Sequence, residues 1–426
     1  MPGRGARCGA SRGSGPRRVL GVRVRSDNAA RRRAGRRDPV NLPGRSTSQL
    51  GSARYSRARI PTAAGRRTAG TPAGAGFRTG NTPPARAFRV RVEAGGPPLA
   101  QRGRAVAQPR PSGRRPAVHG AHHREPAGDA TLTEVADGVH AYVQPPGGWC
   151  LNNAGVIHDG GHSALVDTAA TEARARRLRA AALRLAPRPP RAVVNTHFHG
   201  DHTYGNCLFP EALAIGHERT RSMVLAAGKH MAGLWPEVCW GDIDITPPQL
   251  TFRDRTTLHV GDVRAELIHI GPAAHTTDDT VVWIPDRRVL FTGDLVMNGV
   301  TPFCAMGSVS GSLNALDRLR ALGADTVVPG HGPVGGPGLL DANEAYFRYV
   351  RDLAADGAAA GLTPLELARS AGPGPYAGLL DPERLLPNLH RAYAEQQGRE
   401  PGAPLDIGAL FEEMALYRGG RPACAA

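Results

Sequence analysis

Polar side chains follow several short apolar runs of this sequence, and this repeated pattern limits the folds that the chain can adopt. The densest group is the motif T-H-F-H-G-D-H at residues 196–202, just after the apolar run 192–194. Asp294 follows the apolar run 289–291 and His331 follows 326–328, each with a glycine immediately before it. Such runs are typical of strands that end in a turn. The pattern predicts a mixed α/β fold whose strand ends carry reactive side chains.

The motif at 196–202 has the composition of a metal site. His197 and His199 flank a single residue, so in an extended segment both imidazoles lie on one side and can bind the same ion. Asp201 and His202 follow where the chain turns into a helix, which directs them the other way. The loop therefore predicts two adjacent metal ions. Surface histidines beside an N-capping aspartate are the alternative interpretation, but four such groups in this order favour ligands.

His275 has a similar setting, because it lies between the apolar residues 267–270 and the strand-like segment 281–284. With this residue the chain resembles the metallo-β-lactamase-fold hydrolases, whose five motifs occur here in order. The first motif is A-L-V-D-T, which contains Asp167, and the second is the histidine cluster. The remaining three are His275, Asp294 and His331. The resemblance implies an α/β fold in the form of a four-layer αββα sandwich, with two divalent metal ions.

The resemblance also implies how the ligands divide between the two ions. The first ion is held by three imidazoles, those of His197, His199 and His275. The second is held by Asp201, His202 and His331. Asp294 bridges the two ions. Zinc is the default metal for a histidine-rich site, and iron or manganese also occupy carboxylate-bridged sites.

Two metal ions about 3.5–4 Å apart activate water near pH 7 and polarise a carbonyl group. We expect a metal-bridging hydroxide to cleave an acyl bond in a thioester, an ester or a lactone. Asp201 is the expected catalytic residue, which steers the hydroxide or relays a proton. Asp167 and Asp279 are expected to accept hydrogen bonds from ligand imidazoles, with turn capping as the alternative.

The substrate prediction depends on two apolar loops and one family comparison. Trp149 lies in P-P-G-G-W-C and Phe303 in P-F-C-A-M, and a pocket lined by such residues suits a small, lipophilic acyl group. Asp294 stands where β-lactamases of this fold generally carry cysteine or serine, which disfavours antibiotic hydrolysis. Likeness to glyoxalase-II-type thioesterases is partial. Some bacterial polyketide cyclase–thioesterases have similar metal motifs and remain an alternative.

Composition separates the first 130 residues from the rest of the chain. They contain 28 arginines, no lysine and five acidic residues, whereas residues 131–426 contain 25 basic and 32 acidic residues. The first segment has few branched apolar or aromatic residues, which predicts disorder. It is interpreted as a nucleic-acid-binding arm, a targeting extension or translated DNA upstream of the true start. A metal-dependent nuclease is therefore a second alternative, although only 36 residues separate Asp294 from His331 and nucleic acid is not an expected partner.

We divide the chain into a disordered segment (1–130), a catalytic domain (131–338) and a C-terminal helical extension (339–426). The extension is expected to cover one side of the site or to mediate homodimerisation. Within the domain, residues 135–143 are predicted as one strand, and Ser312 is predicted to cap a helix over 312–322. No apolar run approaches the length of about 18 residues that spans a bilayer, so we expect no membrane contact and a cytoplasmic location.

Overall fold

A computed structural model of the chain describes residues 128–426, and its strands form two sheets. The first sheet contains seven strands in chain order: β1 Thr131–Ala136, β2 Val139–Val143, β3 Ala154–Asp159, β4 His162–Val166, β5 Ala192–Val194, β6 Leu213–His217 and β7 Leu250–Phe252. The second contains β8 Arg255–Val260, β9 Val263–His269, β10 Thr280–Ile284, β11 Val289–Phe291 and β12 Thr326–Val328, in the spatial order β12-β11-β10-β9-β8. Strands β1 to β4 and β8 to β11 pair antiparallel, whereas β4 to β7 and β11–β12 pair parallel.

Nine α-helices accompany these strands in the described part of the chain. Five lie within the predicted catalytic domain: α1 Glu172–Leu185, α2 Gly200–Thr203, α3 Glu218–Ala227, α4 His230–Leu234 and α5 Val309–Leu322. Four follow it: α6 Gly338–Ala359, α7 Pro364–Ala371, α8 Leu385–Gln396 and α9 Ile407–Arg418. Thr363 caps α7 in a capping box with Glu366, which satisfies backbone N–H groups at both residues.

Alternation along the strands explains the layers. In β3, Ile157 faces the core between the two sheets, whereas its neighbour Val156 packs under α1. In β10, Val282 faces the same inter-sheet core, and Trp283 belongs to the cluster that includes α5, α6 and α8. Both faces of each sheet are therefore covered, which confirms the predicted αββα sandwich.

Two local predictions were wrong. Residues 135–143 contain the end of β1 and all of β2, because Gly138 adopts a φ of 71° and reverses the chain between them. Helix α5 begins at Val309 and is capped by Ser308, whose Oγ accepts a hydrogen bond from Gly311 N at 2.8 Å. Ser312 lies inside the helix and donates from Oγ to Ser308 O.

The predicted disorder of residues 1–130 falls outside the described residues, except for its last three positions. Among residues 128–426, no helix combines the length and the apolarity that crossing a membrane requires.

The parallel strand pairs determine where the polar strand ends lie. Asp167 directly follows β4, and the loop at 196–202 follows β5, its parallel neighbour. Asp294 and His331 follow β11 and β12, which are parallel neighbours in the second sheet. Because the carboxyl ends of parallel neighbours lie at the same edge, each sheet delivers two polar segments to one end of the sandwich.

Candidate metal centre

The loop after β5 delivers four buried polar side chains to one end of the sandwich. His197 and His199 precede the single turn of α2, and His199 is the residue before its first helical position. Asp201 and His202 lie within that turn. All four side chains are buried, so their polar atoms need partners other than bulk water.

Three imidazole nitrogens converge on one point. His199 Nδ1 lies 3.1 Å from His197 Nε2 and 3.0 Å from His275 Nε2. Asp294 Oδ2 lies 3.9 Å from His197 Nε2 and 3.5 Å from His275 Nε2. Two ligand atoms at about 2.0–2.1 Å from one zinc ion, at a tetrahedral angle, stand roughly 3.4 Å apart. These four donors therefore have the spacing of a single tetrahedral site, which we call the first site.

A second group lies beside the first and shares Asp294 with it. His331 Nε2 lies 3.3 Å from Asp201 Oδ2, and His202 Nε2 lies 3.9 Å from the same oxygen. Asp294 Oδ1 is 3.1 Å from His202 Nε2, and Asp294 Oδ2 is 3.5 Å from His331 Nε2. We call Asp201, His202 and His331 the second site; its three ligand atoms lie within 4.8 Å of one another. Because the Asp294 carboxylate reaches both groups, it can bridge two ions.

The outer nitrogens of the imidazoles are already engaged, which fixes the tautomer of several rings. His275 Nδ1 donates to Phe303 O at 2.6 Å, and His331 Nδ1 donates to Gly147 O at 2.9 Å. His202 Nδ1 donates to Asp167 Oδ2 at 2.8 Å. A neutral ring that donates from Nδ1 presents an unprotonated Nε2, which is the form that binds a metal.

The other two rings of the first site follow the same logic. Thr196 Oγ1 donates to Asp167, so it accepts from His197 Nδ1 at 3.0 Å. His199 instead directs Nδ1 inward, and its Nε2 lies 3.2 Å from Met306 Sδ. All five imidazoles therefore direct one nitrogen into the cluster and have a neighbour for the other.

One contact tests directly whether a cation fits. His202 Nε2 and Asp294 Oδ1 are buried and face each other at 3.1 Å, yet neither has a satisfied hydrogen bond. When His202 is neutral with its proton on Nδ1, both atoms carry lone pairs, which repel unless a cation lies between them. The residues present thus fit a pair of divalent ions.

Charge in the cluster also suits metal ligation. Burial and neighbouring imidazoles lower the pKa values of His197 and His199, so both rings are neutral. Burial alone would raise the pKa of Asp201, but His202 and His331 lower it, so its carboxylate is ionised. Burial lowers the pKa values of His331 and His202, but nearby carboxylates raise that of His331 to about 9 and that of His202 well above its usual range. These two rings therefore carry a proton in the metal-free chain, which a divalent cation would displace on binding. Neutral imidazoles and ionised carboxylates are the states that bind divalent cations.

The two aspartates predicted to support the ligands differ in their contacts. Asp167 accepts from His202 Nδ1, from Thr196 N and from Thr196 Oγ1, so it orients the histidine loop. The predicted hydrogen bond from a ligand imidazole to the Asp279 carboxylate does not form, and the alternative of turn capping describes this residue. Asp279 accepts from the backbone and hydroxyl of Thr276, because it closes a tight turn and His275 Nδ1 instead reaches Phe303 O.

Comparison with known proteins places this arrangement in a family. Residues 147–331 match the family model described as the metallo-beta-lactamase superfamily. The chain contains a metallo-beta-lactamase superfamily domain. The matched range begins at the Gly147 carbonyl that orients His331 and ends at His331 itself.

The relatives of this metallo-beta-lactamase superfamily domain carry different names. A linear primary-alkylsulfatase from Pseudomonas sp. is 25% identical over 314 residues, which is 60% of this chain and 59% of that protein. A metallo-beta-lactamase type 2 from Bacteroides fragilis is 25% identical over 224 residues, covering 50% of this chain and 83% of the relative. A hydroxyacylglutathione hydrolase from Methylococcus capsulatus is 28% identical over 136 residues, covering 32% of this chain and 45% of the relative. A solved structure of a metallo-beta-lactamase from Pontibacter korlensis has 22% identity and a TM-score of 0.43, and covers 52% of this chain and 99% of its own.

A pocket opens directly onto the two sites of this domain and encloses about 450 Å³ including its mouth. Its aromatic wall consists of Trp149, Trp235, Phe303 and Phe411. Ring centroids in this wall lie 5.3–5.7 Å apart for the contacting pairs. The structure thus places both predicted pocket residues, Trp149 and Phe303, beside the candidate metal sites.

Several pocket residues were not predicted from the sequence. Phe411 and Arg384 come from the C-terminal helical region, and the Arg384 guanidinium lies 3.9 Å from the centroid of the Trp149 ring. His230 and Met231 come from the short helix α4. No ligand-like pattern surrounds these residues in the sequence, so only the tertiary fold brings them to the domain's metal-facing pocket.

Proposed function

We propose that this chain is a dinuclear metal-dependent hydrolase that cleaves an acyl bond in a small apolar substrate. The observation that carries the proposal is that two ligand groups share Asp294 and face an aromatic pocket. The relatives named above have the names of hydrolases, which supports the reaction class but not a particular substrate.

The two ions, when bound, supply Lewis-acid activation of water and of the scissile carbonyl. His197, His199 and His275 would hold one ion, and Asp201, His202 and His331 would hold the other. Asp294 would bind both. We propose zinc as the metal, because imidazoles dominate the donor set, with iron or manganese as the alternatives that the bridging carboxylate allows.

Asp201 has a second proposed role. Its ionised carboxylate is part of the pocket wall, within reach of any water that attacks a substrate held there. It would accept a proton from that water at a carboxylate oxygen and return it to the leaving group. The pocket would exclude bulk solvent during this step through its aromatic wall.

The bond type follows from the pocket. Apart from the ligands, the walls are mainly aromatic rings and methionines, with the aliphatic side chain of Leu234, and such walls suit an uncharged acyl group. Arg384 is the pocket's cationic side chain, and its guanidinium is committed to Asp381 and Thr301. A thioester, an ester or a lactone with an apolar acyl part therefore fits better than a multiply charged substrate. A homodimer and a cytoplasmic location remain predictions from the sequence.

Elemental analysis and a substrate panel test the proposal on the full chain. We expect about two metal ions per chain in wild type, fewer in His197→Ala, and an unchanged content in the exposed control His162→Ala. The panel contains p-nitrophenyl hexanoate, S-hexanoyl-N-acetylcysteamine and δ-hexanolactone as acyl substrates. Dodecyl sulfate, nitrocefin and single-stranded DNA represent the other reaction classes. Turnover confined to any of these last three, or metal content of one ion, would overturn the proposal.

A further inference from the structure

One histidine in the metal-facing pocket belongs to neither ligand group. His230 begins α4 and lines the same pocket as His199, Asp201 and Asp294. Its ring centroid lies 6.4 Å from that of His199. It is therefore near the candidate metal sites, but the ligand set is complete without it.

The surroundings of His230 leave one nitrogen available to the pocket. The ring packs between Phe198 and Tyr204, with centroids 6.1 and 6.2 Å away. Nδ1 is fully buried and has no well-formed hydrogen bond, although the Gly228 backbone lies beside the ring. Because the ring lines the pocket and Nδ1 is covered, Nε2 is the nitrogen that faces it. Within residues 128–426, Nε2 makes no hydrogen bond.

Outside the ligand groups, the described residues give the pocket one other polar side chain, Arg384, whose guanidinium already has hydrogen-bond partners. Its Nη1 donates to Thr301 O at 3.2 Å, and its Nη2 donates to Asp381 Oδ2 at 3.1 Å. Its Nε lacks a partner but is buried, and the guanidinium stacks on Trp149. Arg384 therefore supports the aromatic wall, and His230 is left as the polar side chain that can meet a substrate.

We infer that His230 Nε2 hydrogen-bonds a hydroxyl group on the apolar acyl part of the substrate, close to the reacting carbonyl group, because the His230 ring lies 6.4 Å from that of His199. This inference rests on the proposed acyl hydrolysis. A hydroxyl can donate to an unprotonated imidazole nitrogen or accept from a protonated one, so it satisfies either tautomer. An acyl group without it leaves Nε2 desolvated and unpaired in an otherwise apolar pocket. One buried unpaired polar group costs enough to weaken transition-state binding about ten-fold.

A matched pair of substrates isolates this contact. We compare p-nitrophenyl hexanoate with p-nitrophenyl 3-hydroxyhexanoate, using the metal-loaded full chain. Wild type is expected to favour the hydroxylated ester about ten-fold in kcat/KM, mainly through KM. His230→Phe keeps the ring and removes both nitrogens, and is expected to abolish this preference. His230→Gln restores a polar group and is expected to recover part of it. The exposed control His162→Phe is expected to retain the wild-type preference.

A binding measurement separates this inference from the proposed function. Trp149 and Trp235 lie in the pocket wall, so their fluorescence reports binding of the product acids. Wild type is expected to bind 3-hydroxyhexanoate more tightly than hexanoate, and His230→Phe is expected to bind both equally.

The outcomes are distinct. If neither ester is cleaved but the binding preference is present and depends on His230, the acyl hydrolysis proposal fails and the His230 contact stands. If both esters are cleaved with equal kcat/KM in wild type and in His230→Phe, the His230 inference is overturned and the hydrolase proposal stands. A wild-type preference that survives in both His230→Phe and His230→Gln also overturns it. If His230→Phe fails to fold, as judged by circular dichroism and metal content, His230→Gln carries the comparison.

Discussion

Asp167 accepts a hydrogen bond from His202 across 2.8 Å, and the same oxygen accepts from the Thr196 hydroxyl. One carboxylate thus holds both ends of the histidine loop. Asp167→Asn replaces an acceptor with an amide and weakens the orientation of the second site. We expect metal affinity there to fall about 10–100-fold. Competition with a chelator, followed by elemental analysis, measures the loss. Asp356→Asn, an exposed change in α6, is the control.

Removal of the bridging carboxylate is expected to affect both metal sites. Asp294 lies within 3.1–3.9 Å of the four imidazoles of His197, His202, His275 and His331. Asp294→Asn removes the negative charge shared by the two ions. We expect kcat on p-nitrophenyl hexanoate to fall about 10²–10³-fold, the range for loss of one preorganised electrostatic contact. Metal content should fall as well. A variant that keeps two ions and wild-type kcat would contradict the bridging role.

Metal uptake is expected to release protons at neutral pH. In the metal-free chain the pKa of His331 is raised from 6.5 to about 9 by Asp294 and Asp201, against the effect of burial. The protonated ring therefore stabilises the metal-free fold fully below pH 6.5, and this contribution is lost as pH rises through 9. A divalent ion must displace that proton. Calorimetric titration with Zn²⁺ in buffers of different ionisation enthalpy measures the release. We expect the affinity for Zn²⁺ to rise between pH 6.5 and 9. The absence of proton release at pH 7 would contradict displacement of a proton from His331.

A buried carboxylate outside the ligand groups is expected to lower the free energy of unfolding as pH rises toward neutrality. Asp278 is fully buried and neither oxygen has a well-formed hydrogen bond. Burial, and then the neighbouring Asp279, raise its pKa to about 7, above the 3.8 of an exposed aspartate. Because the folded state binds the proton more tightly, stability falls as pH rises from 3.8 to 7.

Asp278→Asn removes this titration. We compare the free energies of unfolding of the variant and of wild type. Between pH 5.5 and 8 this difference is expected to shift in favour of the variant by about 2 kcal/mol. Urea unfolding at the two pH values measures the difference. Asp356→Asn serves again as the control and should show no such trend. An equal effect at both pH values would argue that the carboxylate does not titrate in the folded state.

The aromatic wall gives a prediction about the C-terminal region. Phe411 on α9 packs against Trp149 and Trp235 and lines the pocket. Phe411→Ala removes apolar contact with the acyl group, so KM for p-nitrophenyl hexanoate is expected to rise about ten-fold. The control is Leu416→Ala on the same helix, where the side chain is 66% exposed. If kcat instead falls by a larger factor than KM rises, Phe411 supports the reacting groups rather than substrate binding.

The sequence predicted the candidate site well where its residues lie close together along the chain. Residues 196–202 carry their ligand pattern within a single loop, and the apolar runs before Asp294 and His331 identify strands β11 and β12. The mixture of predicted strands and helices, together with the family resemblance, predicted the layered sandwich. The sequence did not show that Gly138 would reverse the chain, because a single glycine inside an apolar stretch is compatible with an uninterrupted strand.

Contacts between distant segments could not be predicted in the same way. Asp279 was expected to accept a hydrogen bond from a ligand imidazole, but its carboxylate accepts from the Thr276 N–H and hydroxyl in the folded turn. Phe411 and Arg384 are more than 200 residues from Trp149, and their position depends on how α8 and α9 pack. His230 lacked any signal because one histidine at the start of a short helix has no distinctive spacing.

Two residues of the pocket wall are joined through the backbone to the metal ligands. The Phe303 carbonyl accepts a hydrogen bond from His275. The carbonyl of Gly147, two residues before Trp149, accepts a hydrogen bond from His331. A bulky substrate that displaces the ring of Trp149 or Phe303 would also shift the backbone carbonyl that orients a ligand imidazole. Poor steric fit should therefore slow turnover as well as weaken association, and selectivity would be exerted partly through misalignment of the reactive centre.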